Sequence, residues 1–195
     1  MQKIKNIRCE RGVLSLFASP LSCVGTDPQT KNPMLFFKSK IFGEMNVFTD
    51  KTKTVKLLKL KHKRGRFGYA TWEIFDAEKG DKLLGTMAWA IFKTVMAFGA
   101  EKWEILKPDG GVFLTLEIIN SSVAKRVLDE MTNLYNPTHE YVIKNGVGKV
   151  VGYVFSKRGF WNGTYSDLKL EESVSEEEMK MAVALFAGLV LLYKK

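Results

Sequence analysis

The chain ends in a segment that water does not tolerate. From Met179 to Tyr193 it reads Met-Lys-Met-Ala-Val-Ala-Leu-Phe-Ala-Gly-Leu-Val-Leu-Leu-Tyr, with Lys180 as the single charge. Its wealth of Ala, Leu and Met predicts a helix over 176–193. Ser175 with Glu178 three residues on has the spacing of a capping box. Glu176, Glu177 and Glu178 suit the positive end of the helix dipole, and Lys194 and Lys195 the negative end. At ~1.5 Å per residue the apolar stretch spans about 23 Å, short of the ~20 residues that a bilayer asks for. A helix apolar on every face must be enclosed by other elements. The expected place for it is the core of the protein.

The wrapping is written in the middle of the chain as a repeat. Met45-Asn46-Val47-Phe48 leads through Asp50-Lys51-Thr52-Lys53 to an apolar run from Val55 to Leu60. Trp72-Glu73-Ile74-Phe75 leads through residues 76–81 to the run from Leu83 to Met87. Trp103-Glu104-Ile105-Leu106 leads through Pro108-Asp109-Gly110-Gly111 to Val112 onward. Tyr141-Val142-Ile143-Lys144 leads through Asn145-Gly146-Val147-Gly148 to Val150 onward. Strand, turn bearing Asp, Asn or Gly, strand: each unit predicts a β-hairpin. Residues 163–170 predict a last strand or pair. Between the third and fourth units, Val123, Val127, Met131 and Leu134 recur at helical spacing behind Ser122 and predict a short helix. Stacked hairpins leave two open edges unless the sheet closes, and a closed barrel has an interior to fill. The terminal helix has the length and the surface to fill it.

Residues 1–33 read differently. Basic residues precede a short apolar run from Val13 to Ala18, then come Pro20 and Cys23, an order that mimics a lipoprotein leader. Glu10, Arg11 and Pro20 fit that poorly. The expectation is a loosely ordered arm over 1–33, with Asp27-Pro28 and Asn32-Pro33 as turns, followed by one domain over 34–195.

Aromatic-X-Ile hairpin starts, Gly- or Asp-bearing turns, an acidic cap and an apolar C-terminal helix together resemble the tubby-like superfamily, in particular its LURP-one-related and phospholipid scramblase branches. Trp72-Glu73-Ile74-Phe75-Asp76, Trp103-Glu104-Ile105-Leu106, Tyr141 to Gly146 and Glu178 to Leu185 carry the likeness, over roughly residues 34–195. The resemblance implies a mainly β fold: a closed antiparallel barrel of about twelve strands enclosing a hydrophobic C-terminal α-helix. It also implies phosphoinositide binding and membrane association. The cysteine- and proline-rich leaders of scramblases are absent, and so is a clear counterpart of their acidic calcium-binding segment.

Charge points the same way. Residues 1–66 hold 15 Lys and Arg against four acids, whereas residues 67–195 hold 15 against 17. The densest run is Lys56, Lys59, Lys61, His62, Lys63, Arg64 and Arg66, with Phe67 and Tyr69 beside it, and Lys38, Lys40, Lys51 and Lys53 extend it if the strand order allows. Cations on one rim suit anionic lipid headgroups, or nucleic acid with the aromatics stacking on bases, or simply a solvated hairpin end. The expected function is a non-enzymatic domain, cytoplasmic and peripheral to an anionic phospholipid or phosphoinositide membrane. Scramblase-like lipid transfer and nucleic-acid binding are the alternatives.

Catalytic and metal chemistry have little to draw on. Two cysteines, Cys9 and Cys23, and two histidines, His62 and His139, have no metal-site spacing, so no cofactor and no metal are expected. Ser122-Val123-Ala124-Lys125 matches an acyl-transfer pattern without its companion motifs and reads better as a helix cap. Asp76 to Asp81 lacks the full calcium-loop pattern and reads as a turn. Asn120 and Asn162 open glycosylation sequons, a match frequent by chance. Trp72, Trp89, Trp103 and Trp161 are expected to pack against the terminal helix rather than line a ligand cavity.

Overall fold

The computed structural model describes residues 4–11, 22–40, 43–63, 69–90, 102–119, 138–159 and 163–192. Twelve strands follow one another: β1 (Asn6–Arg11), β2 (Ser22–Thr26), β3 (Pro33–Ser39), β4 (Glu44–Phe48), β5 (Lys56–Lys63), β6 (Tyr69–Asp76), β7 (Lys82–Ala90), β8 (Lys102–Leu106), β9 (Val112–Ile118), β10 (Thr138–Asn145), β11 (Val150–Gly159) and β12 (Gly163–Leu170). One helix is found among the described residues, α1 (Glu176–Leu192), after the last strand. The strands form a closed antiparallel barrel in sequence order, and β1 pairs with both β12 and β2 to complete it. The four expected hairpins are β4–β5, β6–β7, β8–β9 and β10–β11, and residues 163–170 form one strand. The helix expected within 122–134 lies outside the described residues.

The repeat has a physical basis at one rim. In each of five successive hairpins the register slips beside the turn, and the extra residue belongs to the strand leaving it: Met34, Leu57, Leu84, Phe113 and Val151. Bulges there steepen the local twist that a barrel rim needs. An Asp or Asn carbonyl or carboxylate oxygen then accepts backbone N–H groups across the turn. Asp27 accepts from Gln29 and Thr30, Asp50 from Thr54 and Val55, and Asp76 from Glu78 and Lys79. Asn145 accepts from Val147 and Lys149. Lys31, Lys53 and Asp81 take the left-handed conformation in their turns, with φ near 60°, where the later hairpins use Gly110 and Gly148.

Within the first 33 residues the described parts, 4–11 and 22–33, correct the expectation of a loose arm. β1 pairs with β12 from Asn6↔Lys169 to Arg11↔Thr164, and β2 pairs with β3 from Ser22↔Lys38. Ile7 and Cys9 face the interior while Arg8, between them, donates from Nε to Asp167 at 2.6 Å on the outer wall. Burying those two side chains, and capping an otherwise open β12 edge, outweighs the entropy of a free terminus.

The helix fills the barrel. Met181 through Ala187 are fully buried, and Phe186 meets Phe37 edge-on, with ring centroids 5.9 Å apart. Small residues let the two layers close up. A side chain at Gly188 would press on Met87 and Trp103, and one at Gly85 would press on the Leu106 carbonyl oxygen. Trp72 and Trp103 stack inside the barrel, as expected of core packing. The helix begins as its sequence indicates: Ser175 Oγ accepts from the Glu178 N–H, and the Glu178 carboxylate accepts from the Ser175 N–H.

Candidate anionic-surface interface

Alternation along β5 decides which of the predicted basic residues stand together. Leu58 and Leu60 face the interior, so Lys59, Lys61 and Lys63 face out. Lys59 Nζ lies 2.6 Å from Asp81, and Lys63 Nζ lies 2.9 Å from Glu73. The hydrogen bond to Asp81 raises the Lys59 pKa, and its counterpart holds the Asp81 carboxyl below the usual range. Lys61 stands over the Phe75 ring at 5.6 Å, and Lys56 over Phe48 at 6.0 Å. Lys38 joins the strip from β3, opposite Asn46. His62 does not join it. It shares the inward parity of Leu60, and its ring meets Trp72 edge-on at 5.4 Å near the barrel mouth. Arg64, Arg66 and Phe67 lie outside the described residues. So the structure gathers Lys38, Lys56, Lys59, Lys61 and Lys63 on one outer strip, with two of them already facing carboxylates. Exposed pairs of that kind hold weakly and exchange readily for another anion.

The least expected polar cluster is internal. Lys180, 2% exposed, enters the helix one turn after its cap, and its ammonium meets Asp76 Oδ2 at 2.8 Å, Glu78 at 2.9 Å and Glu176 at 3.2 Å. Burial works against the charged ammonium, but the three carboxylates outweigh it and raise its pKa. Three acceptors satisfy three ammonium protons, and Asp76 keeps its other oxygen on the turn amides. The cluster thus bolts the helix to the β6–β7 turn at a fixed depth and rotation. Its chemistry is structural, because every member is committed to another. Asp76 to Asp81 forms the expected turn, and that turn also supplies counter-charge for Lys180, the one charged side chain in the helix beyond its acidic first turn.

Among the described residues no group of three or more His, Cys, Asp or Glu side chains converges as a metal site. Among them, too, no helix is long and apolar enough to cross a membrane. Fold and surface together define a twelve-stranded antiparallel barrel plugged by its own C-terminal helix, with a basic strip on the wall of its first third. No family model, curated protein or solved structure matches the chain.

Proposed function

We propose that this chain is a non-enzymatic, tubby-like domain that binds anionic phospholipid surfaces, phosphoinositides included, as a peripheral protein of the cytoplasmic side. One observation carries the reading. Because the barrel follows sequence order, the first third of the chain occupies adjoining strands β1–β5, so that among the described side chains 11 lysines and arginines against four acids share one sector of wall and turns. A filled interior leaves the outside to do the binding. The two alternatives have less support. Lipid transfer through an inserted helix requires α1 to leave a core in which it is fully buried. For nucleic-acid binding the expected stacking aromatics are Phe67 and Tyr69, whose side chains lie outside the described residues, and the aromatic rings described on the strip, Phe48 and Phe75, lie under lysines.

Co-sedimentation with phosphatidylcholine vesicles, with and without phosphatidylserine or a phosphoinositide, tests the proposal. Binding is expected to rise with anionic lipid and to fall with salt. Lys38→Gln with Lys61→Gln is expected to weaken it by roughly tenfold or more. Binding indifferent to both lipid charge and salt refutes it.

A further inference from the structure

Five successive turns close the same end of the barrel, at residues 27–32, 49–55, 77–81, 107–111 and 146–149. Two of them, 49–55 and 77–81, are neighbours because β5 and β6 pair. They and the strand starts beside them carry Lys51, Lys53, Lys79 and Lys82, all exposed. Their three acids are occupied. Asp50 accepts from its own turn amides and from the Thr52 and Thr54 hydroxyls, Glu78 faces Lys180, and Asp81 faces Lys59. Among the described residues, none of the four lysines has a carboxylate within ion-pair distance.

Aliphatic side chains interleave with these cations. Val55, just before β5, is 51% exposed, and Leu83, at the start of β7, is 37% exposed. On the next two hairpins Val112 opens β9 and Val147 lies in the turn before β11. Four of the six exposed large hydrophobics among the described residues therefore lie at this one end. Across the ring, six strands from β6, lies β12, which leads into Glu171 and Glu172, the latter paired with Lys5, while Glu176 returns to the Lys180 cluster beside the β6–β7 turn. The end is thus amphipathic on its β4–β7 side, where unpaired lysines and aliphatic side chains stand together.

We propose that the barrel meets an anionic bilayer with this end, tilted onto its β4–β7 side. Lys51, Lys53, Lys79 and Lys82 sit at the level of the lipid phosphates, and Val55 and Leu83 reach the first acyl carbons. The inference rests on the membrane reading above and adds the orientation and the inserted residues. Cations close to an anionic leaflet gain from its surface potential, and aliphatic groups beside them gain by leaving water.

The test uses the whole chain and vesicles of phosphatidylcholine with and without phosphatidylserine. The quadruple Lys51→Gln, Lys53→Gln, Lys79→Gln, Lys82→Gln variant is expected to lose roughly a hundredfold in partitioning at low salt. Val55→Ser with Leu83→Ser is expected to lose severalfold, and its residual binding becomes more salt-sensitive. A polarity-sensitive dye on Leu83→Cys, which is exposed where Cys9 and Cys23 are buried, shifts to the blue on phosphatidylserine vesicles and not on phosphatidylcholine alone. If the chain binds and the rim variants bind equally well while Lys38→Gln with Lys61→Gln does not, the orientation is wrong and the membrane reading stands. If the unaltered chain ignores phosphatidylserine vesicles, both fall.

Discussion

Replacing Lys180 by Met keeps the length and bulk of the side chain and removes its charge. Asp76, 1% exposed, then faces the barrel interior as an uncompensated carboxylate, holding only the Glu78 and Lys79 amides on its other oxygen. Breaking a buried pair from one side costs about 3–5 kcal/mol, mostly the desolvation of the charge left behind. For a chain of this size that lowers the melting temperature by roughly 10 °C. Adding Asp76→Asn to Lys180→Met removes the stranded charge and keeps an oxygen for the turn amides. The double variant is expected to recover about half of the loss or more, so the pair couples by about 2 kcal/mol plus the cost of Asp76→Asn alone. Urea unfolding of the four proteins of the cycle measures this directly. A Lys180→Met variant within about 1 kcal/mol of the parent, or a double variant no better than the single, refutes the claim that the cluster clamps the helix.

Three further outcomes follow from the same geometry. The raised Lys180 pKa means that its contribution is complete below the unfolded-state value near 10.4 and is lost as pH climbs through the higher folded value. Melting curves taken from neutral to strongly alkaline pH should therefore fall more steeply for the parent than for Lys180→Met. Gly85→Ala sets a methyl group against the Leu106 carbonyl oxygen, a backbone atom that cannot rotate aside. It is expected to cost about 1–3 kcal/mol in urea unfolding, and a neutral result means that the strands are further apart than described. Ser175→Ala removes the acceptor for the Glu178 N–H and is expected to cost about 1 kcal/mol by the same assay.

Much of the architecture was legible because its signals are local. The alternation in 103–106 and 112–118, the turn acids and the capping box all lie within a few residues of what they determine. The helix required something to enclose it, and the hairpins required closure. β1 and β2 escaped detection because their buried sets are minimal, Ile7 with Cys9 and Cys23 with Gly25. The charges alternating with the first pair looked like a leader, whereas one of them, Arg8, is placed for Asp167, 159 residues away. The Lys180 cluster was hidden for the same reason, since Asp76 lies 104 residues from its partner and reads locally as a turn residue. In the basic strip, the lysines of β5 were visible, but Asp81 and Glu73 reach them only through register. His62 is different: the alternation with Leu58 and Leu60 already pointed it inward, away from the lysines. The four rim lysines were scattered over two turns, and only the pairing of β5 with β6 brings them together.

The most direct check on the whole account is a nuclear Overhauser spectrum of the folded protein in aqueous buffer. An enclosed helix places the Phe186 ring against the Phe37 ring, the Met181 methyl beside Gly85, and Gly188 beside the Met87 methyl and Trp103. Cross-peaks from this one helix to β3, β7 and β8 at once are the predicted result. A helix whose side chains show no such cross-peaks, or show them to one side of a sheet only, lies on the outside and contradicts it.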